Sequence, residues 1–355
     1  MNLKRREFVK QLAAGAAVTA IAGCAETSSS SAAGRVVVIG AGYAGATAAK
    51  YVRMWAPDIE VTLVERDSEF ISCPLSNLVL GGSKKISELT VGYGGLAKYG
   101  VKRVRDDAVA VDAVKREVRL ASGATLGYDR LIVAPGVDMQ DDTLPGLASA
   151  DAQSKVLHAW KAGPQTVALR RQLEAMRDGG VYAVHIPKAP YRCPPGPYER
   201  ACQVAHYFKT AKPKSKVLIL DANEDVVSKK GLFMAAWNGP YKGIVEYRPN
   251  SELEDVDVAT LTAKLQFGGV KADVLNVVPP QRAGQIALTT GLITANNRWC
   301  GVNWQTMESV KVPGVMTRTT ARSTTDLAPR FLASAGSSVC SQTATLKPWR
   351  ISRER

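Results

Sequence analysis

The chain has 355 residues, of which 46% are apolar and 22% charged. That balance excludes a disordered chain, a collagen-like fibre and a polytopic membrane protein, and the length provides for two domains of ordinary size. The net charge of +14 favours an acidic partner or an anionic substrate. Nucleic acid is the weakest reading, because no finger, recognition-helix or aromatic RNA-binding signature is present. The six cysteines, at 24, 73, 193, 202, 300 and 340, are too sparse for a disulfide scaffold and lack paired metal-ligand spacing. Three histidines argue against a His-rich metal site, so no metal is expected.

Lys4-Arg5-Arg6-Glu7-Phe8-Val9-Lys10 is a twin-arginine sequence, followed by an apolar run from Leu12 to Gly23. The run is shorter than the roughly 20 residues of a spanning helix. It predicts an export signal over residues 1–33, a periplasmic location reached by the twin-arginine route, and no spanning membrane segment. Ile21-Ala22-Gly23-Cys24 has the form of a lipobox, which would anchor a lipid at Cys24. Cleavage within Ser28–Ala33 is the alternative.

Arg35-Val36-Val37-Val38-Ile39 reads as a buried parallel strand. Gly40-Ala41-Gly42-Tyr43-Ala44-Gly45 follows, then a helix-forming run from Ala46 to Met54 and a second strand, Glu60 to Val64, ending in Glu65. Strand, GxGxxG, helix, strand and acid in this order predict a dinucleotide-binding unit. Gly40 allows the tight turn, Gly42 lets the backbone approach a pyrophosphate, and Gly45 allows close helix–strand packing. Tyr43 and Ala44 open the helix whose N-terminus would face that pyrophosphate. Glu65, with Arg66 beside it, stands where the adenosine ribose would be bound. The alternation over Val104–Leu120 predicts small antiparallel strands. Tyr128 to Gly136, a strand running into Ala134-Pro135-Gly136, resembles the exit from the FAD domain of two-dinucleotide flavoproteins. The FAD-binding domain is therefore expected over residues 34–150, with a return over 276–315.

A second domain of the same plan is expected over residues 151–275: strand Val181–Ile186, helix Tyr198–Lys209, and strand Lys216–Leu220 ending in Asp221. Its glycine loop is replaced by Pro187-Lys188-Ala189-Pro190-Tyr191-Arg192-Cys193-Pro194-Pro195-Gly196-Pro197. Prolines remove the backbone donors that a pyrophosphate needs, which argues against NAD(P)H binding there. Beside Arg192 and near a helix start, Cys193 is a candidate redox thiol; a packed thiol in a rigid turn is the alternative. The fold class is thus α/β, with two Rossmann-like, pyridine nucleotide-disulfide oxidoreductase-like domains.

Beyond these patterns the chain resembles the flavoprotein subunits of flavocytochrome c sulfide dehydrogenases, from about Gly34 to Val315. The resemblance is carried by Arg192 to Ala201, His158 to Gly163, Lys271-Ala272-Asp273-Val274, Pro279 to Gly284 and Trp299-Cys300-Gly301-Val302. It implies FAD, oxidation of sulfide and electron transfer to a c-type cytochrome subunit. It implies further that Cys73 matches the cysteine that bonds to the flavin 8α-methyl group, and that Cys193 is one member of a redox-active disulfide. The chain departs from the family at Met316-Thr317-Arg318-Thr319, where a Gly-Asp pair that binds the flavin is expected. The C-terminal interface domain is accordingly expected to be largely missing, with residues 316–355 an atypical, disordered tail. The family's second redox cysteine has no match, although Cys300 and Cys340 stand as alternative partners for Cys193. Two other readings follow: a catalytically impaired FAD-binding remnant, or an enzyme like the sulfide:quinone oxidoreductases.

Overall fold

The computed structural model describes residues 33–317. The expected export signal with Cys24, and the tail with Cys340, lie outside the described residues.

Val36 to Ile39 are buried on both faces of a sheet, as a central parallel strand requires. This strand, β1 (Gly34–Ile39), pairs in parallel with β2 (Ile59–Val64), Val38 opposite Leu63. Outside β2 lies β5 (Lys102–Val104), and on the other side of β1 lie β9 (Arg130–Val133) and then β21 (Val315–Thr317). All pairings in this five-stranded sheet are parallel. Parallel neighbours need a crossover, which α1 (Tyr43–Trp55) supplies between β1 and β2; its buried face carries only Gly45 and Ala49. A hairpin of β3 (Glu69–Ile71) and β4 (Thr90–Gly92) follows. An antiparallel meander comes from β6 (Ala108–Asp112), β7 (Glu117–Leu120) and β8 (Thr125–Gly127). The alternation from Val104 to Leu120 thus forms the meander from Ala108 onward, while Val104 itself belongs to the edge of the parallel sheet.

The second half repeats the plan. Four parallel strands run in the order β13 (Val245–Arg248), β12 (Lys216–Asp221), β11 (Val181–Ile186) and β17 (Val274–Val277). A second meander joins β14 (Leu253–Asp257), β15 (Thr262–Leu265) and β16 (Gly268–Lys271). An antiparallel ribbon of β10 (Val137–Met139) and β18 (Gln281–Ala283) carries the chain out of the first half and back. The short pair β19 (Ile293–Ala295) and β20 (Trp299–Cys300) leads on to β21.

Two boundaries move relative to the expected ones. β17 runs across residue 275, so the second sheet extends to Val277. Leu144 and Leu147, before residue 150, already pack against Leu218, Leu220 and Val256. Apolar contact moves both limits: Leu275 and Val277 pack in the same core as Leu144 and Leu147.

The helix α5 (Gly196–Ala211) lines the core of the second half, with Tyr198, Ala201, Val204, Ala205 and Phe208 turned inward against Tyr182, Val184 and Trp160. α2 (Ser76–Leu80) lies within the first half, between β3 and β4, and α3 (Ala150–Lys155) and α4 (Pro164–Ala175) lie between the two halves in sequence.

Candidate functional site

Gly40 adopts φ +89°, and a Cβ there would lie 2.3 Å from the Ala134 carbonyl oxygen. A Cβ at Gly45 would lie 1.8 Å from the Gly40 oxygen. These two glycines are therefore steric requirements of the turn. Around Gly42 nothing lies within 4 Å of a Cβ position, so the face of the loop is open. The N-terminus of α1 has no side-chain cap and no acid in its first turn, which leaves its N–H groups and positive dipole end available to an anion. Glu65 stands at the rim, accepting the Ala41 N–H at 2.7 Å and the Asp67 N–H at 3.0 Å. Ala134-Pro135-Gly136 lies beside the turn: the Ala134 N–H donates to Ile39 and the Gly284 N–H to Gly136. Arg66 points elsewhere and ion-pairs with Asp107 at the surface, 3.4 Å away. An open glycine loop, an uncapped helix start and an acid at its rim fit the diphosphate and ribose of a dinucleotide.

From this cradle a chain of contacts leads to the cysteines. Tyr43, in the first turn of α1, hydrogen-bonds through its hydroxyl to Ser72 Oγ at 2.6 Å and stacks edge-on against Phe70. The next residue is Cys73, whose Sγ accepts the Ala162 N–H at 3.4 Å. Two residues before Ala162, Trp160 packs on the proline loop: a Cβ at Gly196 would meet the indole at 2.9 Å and Cys193 Sγ at 3.0 Å. Arg192 ties the loop down, its N–H donating to Gln281 Oε1 at 3.0 Å and its guanidinium to the Trp160 carbonyl. Cys193 itself is held at φ +62°, a left-handed conformation that is costly for a residue with a Cβ. Its carbonyl accepts the Gly196 N–H at 2.9 Å, closing the turn that starts α5.

Arg200 of α5 joins these pieces. It is 1% exposed. Its Nε donates to Asn77 Oδ1 at 3.1 Å, Nη1 to Asn276 Oδ1 and the His158 carbonyl at 2.8 Å each, and Nη2 to the Ala159 carbonyl at 2.7 Å. The guanidinium also lies 5.0 Å from the centre of the Trp160 ring. Asn77 of α2 in turn donates to the Gly196 carbonyl at 3.1 Å. One buried cation thus binds the helix after Cys73, the segment 158–160 and the helix after Cys193.

The corresponding place in the second domain is filled by its own side chains. Asp221, fully buried at the end of β12, stands where an acid of a dinucleotide unit would meet a ribose. Its carboxylate accepts instead from Tyr198 at 2.7 Å, Tyr247 at 3.0 Å, and the Asn223 side chain and N–H at 2.7 and 3.0 Å. Asn223 continues to the proline loop, donating to the Pro187 carbonyl and accepting the Ala189 N–H at 2.9 Å.

Burial pushes the His158 imidazole down to about 4, helped by the positive charges of Arg200, Lys161 and Arg192, and so holds it neutral at pH 7. Burial raises the thiols of Cys202 and Cys300. Cys300 packs in the core beneath the first sheet with Leu292 and Val315, whereas Cys193 packs with the second core. The expectation that Cys300 could bridge Cys193 therefore gains no support. Among the described residues no group of three or more His, Cys, Asp or Glu is arranged to hold a metal, and no helix is long and apolar enough to cross a membrane.

The structure brings Gly40, Gly42, Tyr43, Ala44, Gly45, Glu65, Ala134, Pro135 and Gly136 to one loop cluster, and Cys73 and Cys193 to one hub. Sequence reasoning passed over Arg200, Asn77, Trp160 and Asn276. The available signal was Arg200 itself, which stands on the apolar stripe of its helix four residues before Val204 and eight before Phe208.

Comparison with known proteins agrees with this geometry. Residues 34–175 match the pyridine nucleotide-disulphide oxidoreductase family, and residues 166–279 match the central region of sulfide dehydrogenase [flavocytochrome c] flavoprotein chains. The mouse mitochondrial sulfide:quinone oxidoreductase is 22% identical over 305 residues, covering 79% of this chain and 64% of the relative. The chain therefore spans slightly less than two thirds of that relative's length. The sulfide dehydrogenase flavoprotein chain of Chlorobaculum thiosulfatiphilum is 56% identical over 45 residues, 13% of this chain and 94% of that sequence. The solved structure of sulfide:quinone oxidoreductase from Aquifex aeolicus superposes with a TM-score of 0.64 at 18% identity, over 80% of this chain and 68% of the other. The fold is that of the pyridine nucleotide-disulphide oxidoreductases.

Proposed function

We propose that the chain is a sulfide-oxidising flavoprotein, which oxidises sulfide with FAD and passes the electrons to a c-type cytochrome subunit; the family and relative matches support this reading. Gly40, Gly42, Gly45, the N-terminus of α1 and Glu65 would hold the dinucleotide. FAD supplies a two-electron acceptor that can release electrons singly. Two buried N–H donors near the proline loop, Trp160 Nε1 and Gln281 Nε2, have no acceptor among the described residues; the carbonyl edge of an isoalloxazine carries acceptors that would satisfy such groups. Cys73 is proposed as a covalent tether to the flavin.

Cys193 carries the sulfur chemistry in this reading. With Cys340, the alternative partner that remains, as the second sulfur, hydrosulfide attacks the Cys193 sulfur of a disulfide; a new S–S bond forms, the old one breaks, and its electron pair leaves on the Cys340 sulfur as thiolate. The strained loop holds the attacked sulfur in place. Arg192, Lys161 and Arg200 provide positive charge for an anionic substrate. Delivery to the periplasm by the twin-arginine route belongs to the same proposal, supported by Arg5-Arg6 and the apolar run that follows.

The observation that carries the reading is the convergence of the Cys73 and Cys193 segments on Arg200. Purified protein with sulfide is expected to reduce a c-type cytochrome, and Cys193→Ser to abolish that reduction while flavin is retained. The match to sulfide:quinone oxidoreductases over 79% of the chain favours a second reading, in which a quinone takes the electrons. Rapid quinone reduction without cytochrome reduction would select it. Protein that folds without flavin would refute both.

A further inference from the structure

A guanidinium removed from water costs several kcal/mol unless an opposite charge accompanies it. Among the described residues, no carboxylate ion-pairs with Arg200. Its acceptors are two asparagine oxygens (one each from Asn77 and Asn276) and the carbonyls of His158 and Ala159, all neutral. They satisfy its donors and leave its charge uncompensated.

The surroundings contain further cations. Arg192 bonds to the Trp160 carbonyl, and Lys161 next to it is ion-paired with Asp138 at 3.1 Å and also interacts with the Asp141 carboxyl. His158 is neutral at pH 7. Tyr182, whose hydroxyl donates to Asn276 at 2.9 Å, is a phenol raised far above its usual range by burial. Tyr191, on the proline loop, is raised likewise, chiefly by burial and in part by the charge Cys193 can carry. Besides Tyr182, the side chains able to become anionic that act attractively on Arg200 are the sulfurs of Cys193 and Cys73.

We propose that Arg200 is the fixed buried counter-charge for anionic sulfur at Cys193, a positioning residue that favours thiolate and persulfide over their protonated forms. This deepens the sulfide-oxidation reading and rests on it for the persulfide. The thiolate part rests on the hub: Cys193 Sγ and the Trp160 indole both close on Gly196, Arg200 lies over that indole, and Asn77 bonds to both Gly196 and Arg200. A cation near a thiol favours the ionised form, and the low-polarity surroundings strengthen the effect relative to a surface arginine. The asparagines and Trp160 keep the guanidinium from turning away to solvent.

The test is the pH dependence of iodoacetamide labelling at Cys193, resolved by peptide mass in the reduced, flavin-loaded full chain. Arg200→Gln removes the charge. Asn77→Asp leaves Arg200 in place and sets a carboxylate against its Nε at nearly unchanged volume, so it decides the matter if Arg200→Gln does not fold. Both variants are expected to move half-labelling of Cys193 up by about one pH unit, a tenfold loss of rate at neutral pH, while Arg200→Lys restores most of it. Labelling profiles identical to the parent in a folded variant would overturn the proposal. Because the readout needs no sulfide, a parent protein inactive towards sulfide but showing the shift would refute the functional reading and leave Arg200's role standing.

Discussion

Removing the Tyr198 hydroxyl tests whether the second domain is held together by the network that fills its nucleotide position. Tyr198→Phe leaves the ring, with its contacts to Phe233 and Trp237 at 5.4 and 6.1 Å between centres. It deletes two hydrogen bonds: one donated to the Asp221 carboxylate at 2.7 Å, one accepted from the Val227 N–H at 3.2 Å. A hydrogen bond to a charged acceptor contributes about 1.5–3 kcal/mol, and an orphaned buried donor costs about 1–3 kcal/mol. Local relaxation makes these overlap, so the expected net loss is about 2–4 kcal/mol. For a protein of this size that corresponds to a fall in Tm of roughly 3–5 °C. Tyr247→Phe removes one bond of 3.0 Å from a half-buried ring and should cost less, about 1.5 kcal/mol. Denaturant unfolding and thermal melts of the two variants measure this directly. A loss below about 0.5 kcal/mol for Tyr198→Phe, or a larger loss for Tyr247→Phe, would refute the reasoning.

Gly45→Ala is expected to abolish flavin retention, since its Cβ would fall 1.8 Å from the Gly40 oxygen; flavin absorbance per protein after purification measures it, and a full complement would contradict the cradle. Cys73→Ala should release flavin that otherwise stays attached after acid denaturation, and flavin lost equally from the parent would remove the tether. His158 and His185 are both pushed down to about 4, first of all by burial. The unfolded chain therefore binds their protons below about pH 6.5 while the native one does not. Stability contributed by these two sites should be intact above that pH, fall progressively towards pH 4 and then level off, with His185→Asn flattening the slope in pH-dependent urea unfolding.

The first domain was legible because its chemistry is backbone chemistry. Glycines at 40, 42 and 45 announce a turn that side chains cannot occupy, and the β-branched run before them announces a strand buried on both faces. The same logic marked the proline loop as a nucleotide site without donors. The return of the chain was harder to place, since β17 continues past residue 275 on apolar burial that no turn residue signals. Convergence of Cys73 with Cys193 was not readable from spacing: 120 positions separate them, and what joins them is an arginine, two asparagines and an indole, none of which belongs to a spacing motif.

The two halves solve one geometric problem in opposite ways. Each places an acid at the end of its second strand, Glu65 and Asp221, beside a loop and a helix start. In the first half the helix start carries small residues, Tyr43 swings out to Ser72, and the loop face stays open. In the second half Tyr198 comes from the first turn of the helix, Tyr247 from the neighbouring strand and Asn223 from the strand end, and together they occupy the acid. Asn223 then fastens the loop that presents Cys193. A tyrosine two residues into a helix is unremarkable in sequence, yet there it converts a ligand site into a brace. In the proposed reaction the consequence is directional: sulfur chemistry on the braced loop has one open dinucleotide cradle to discharge into, and it lies across the Arg200 hub in the other half of the chain.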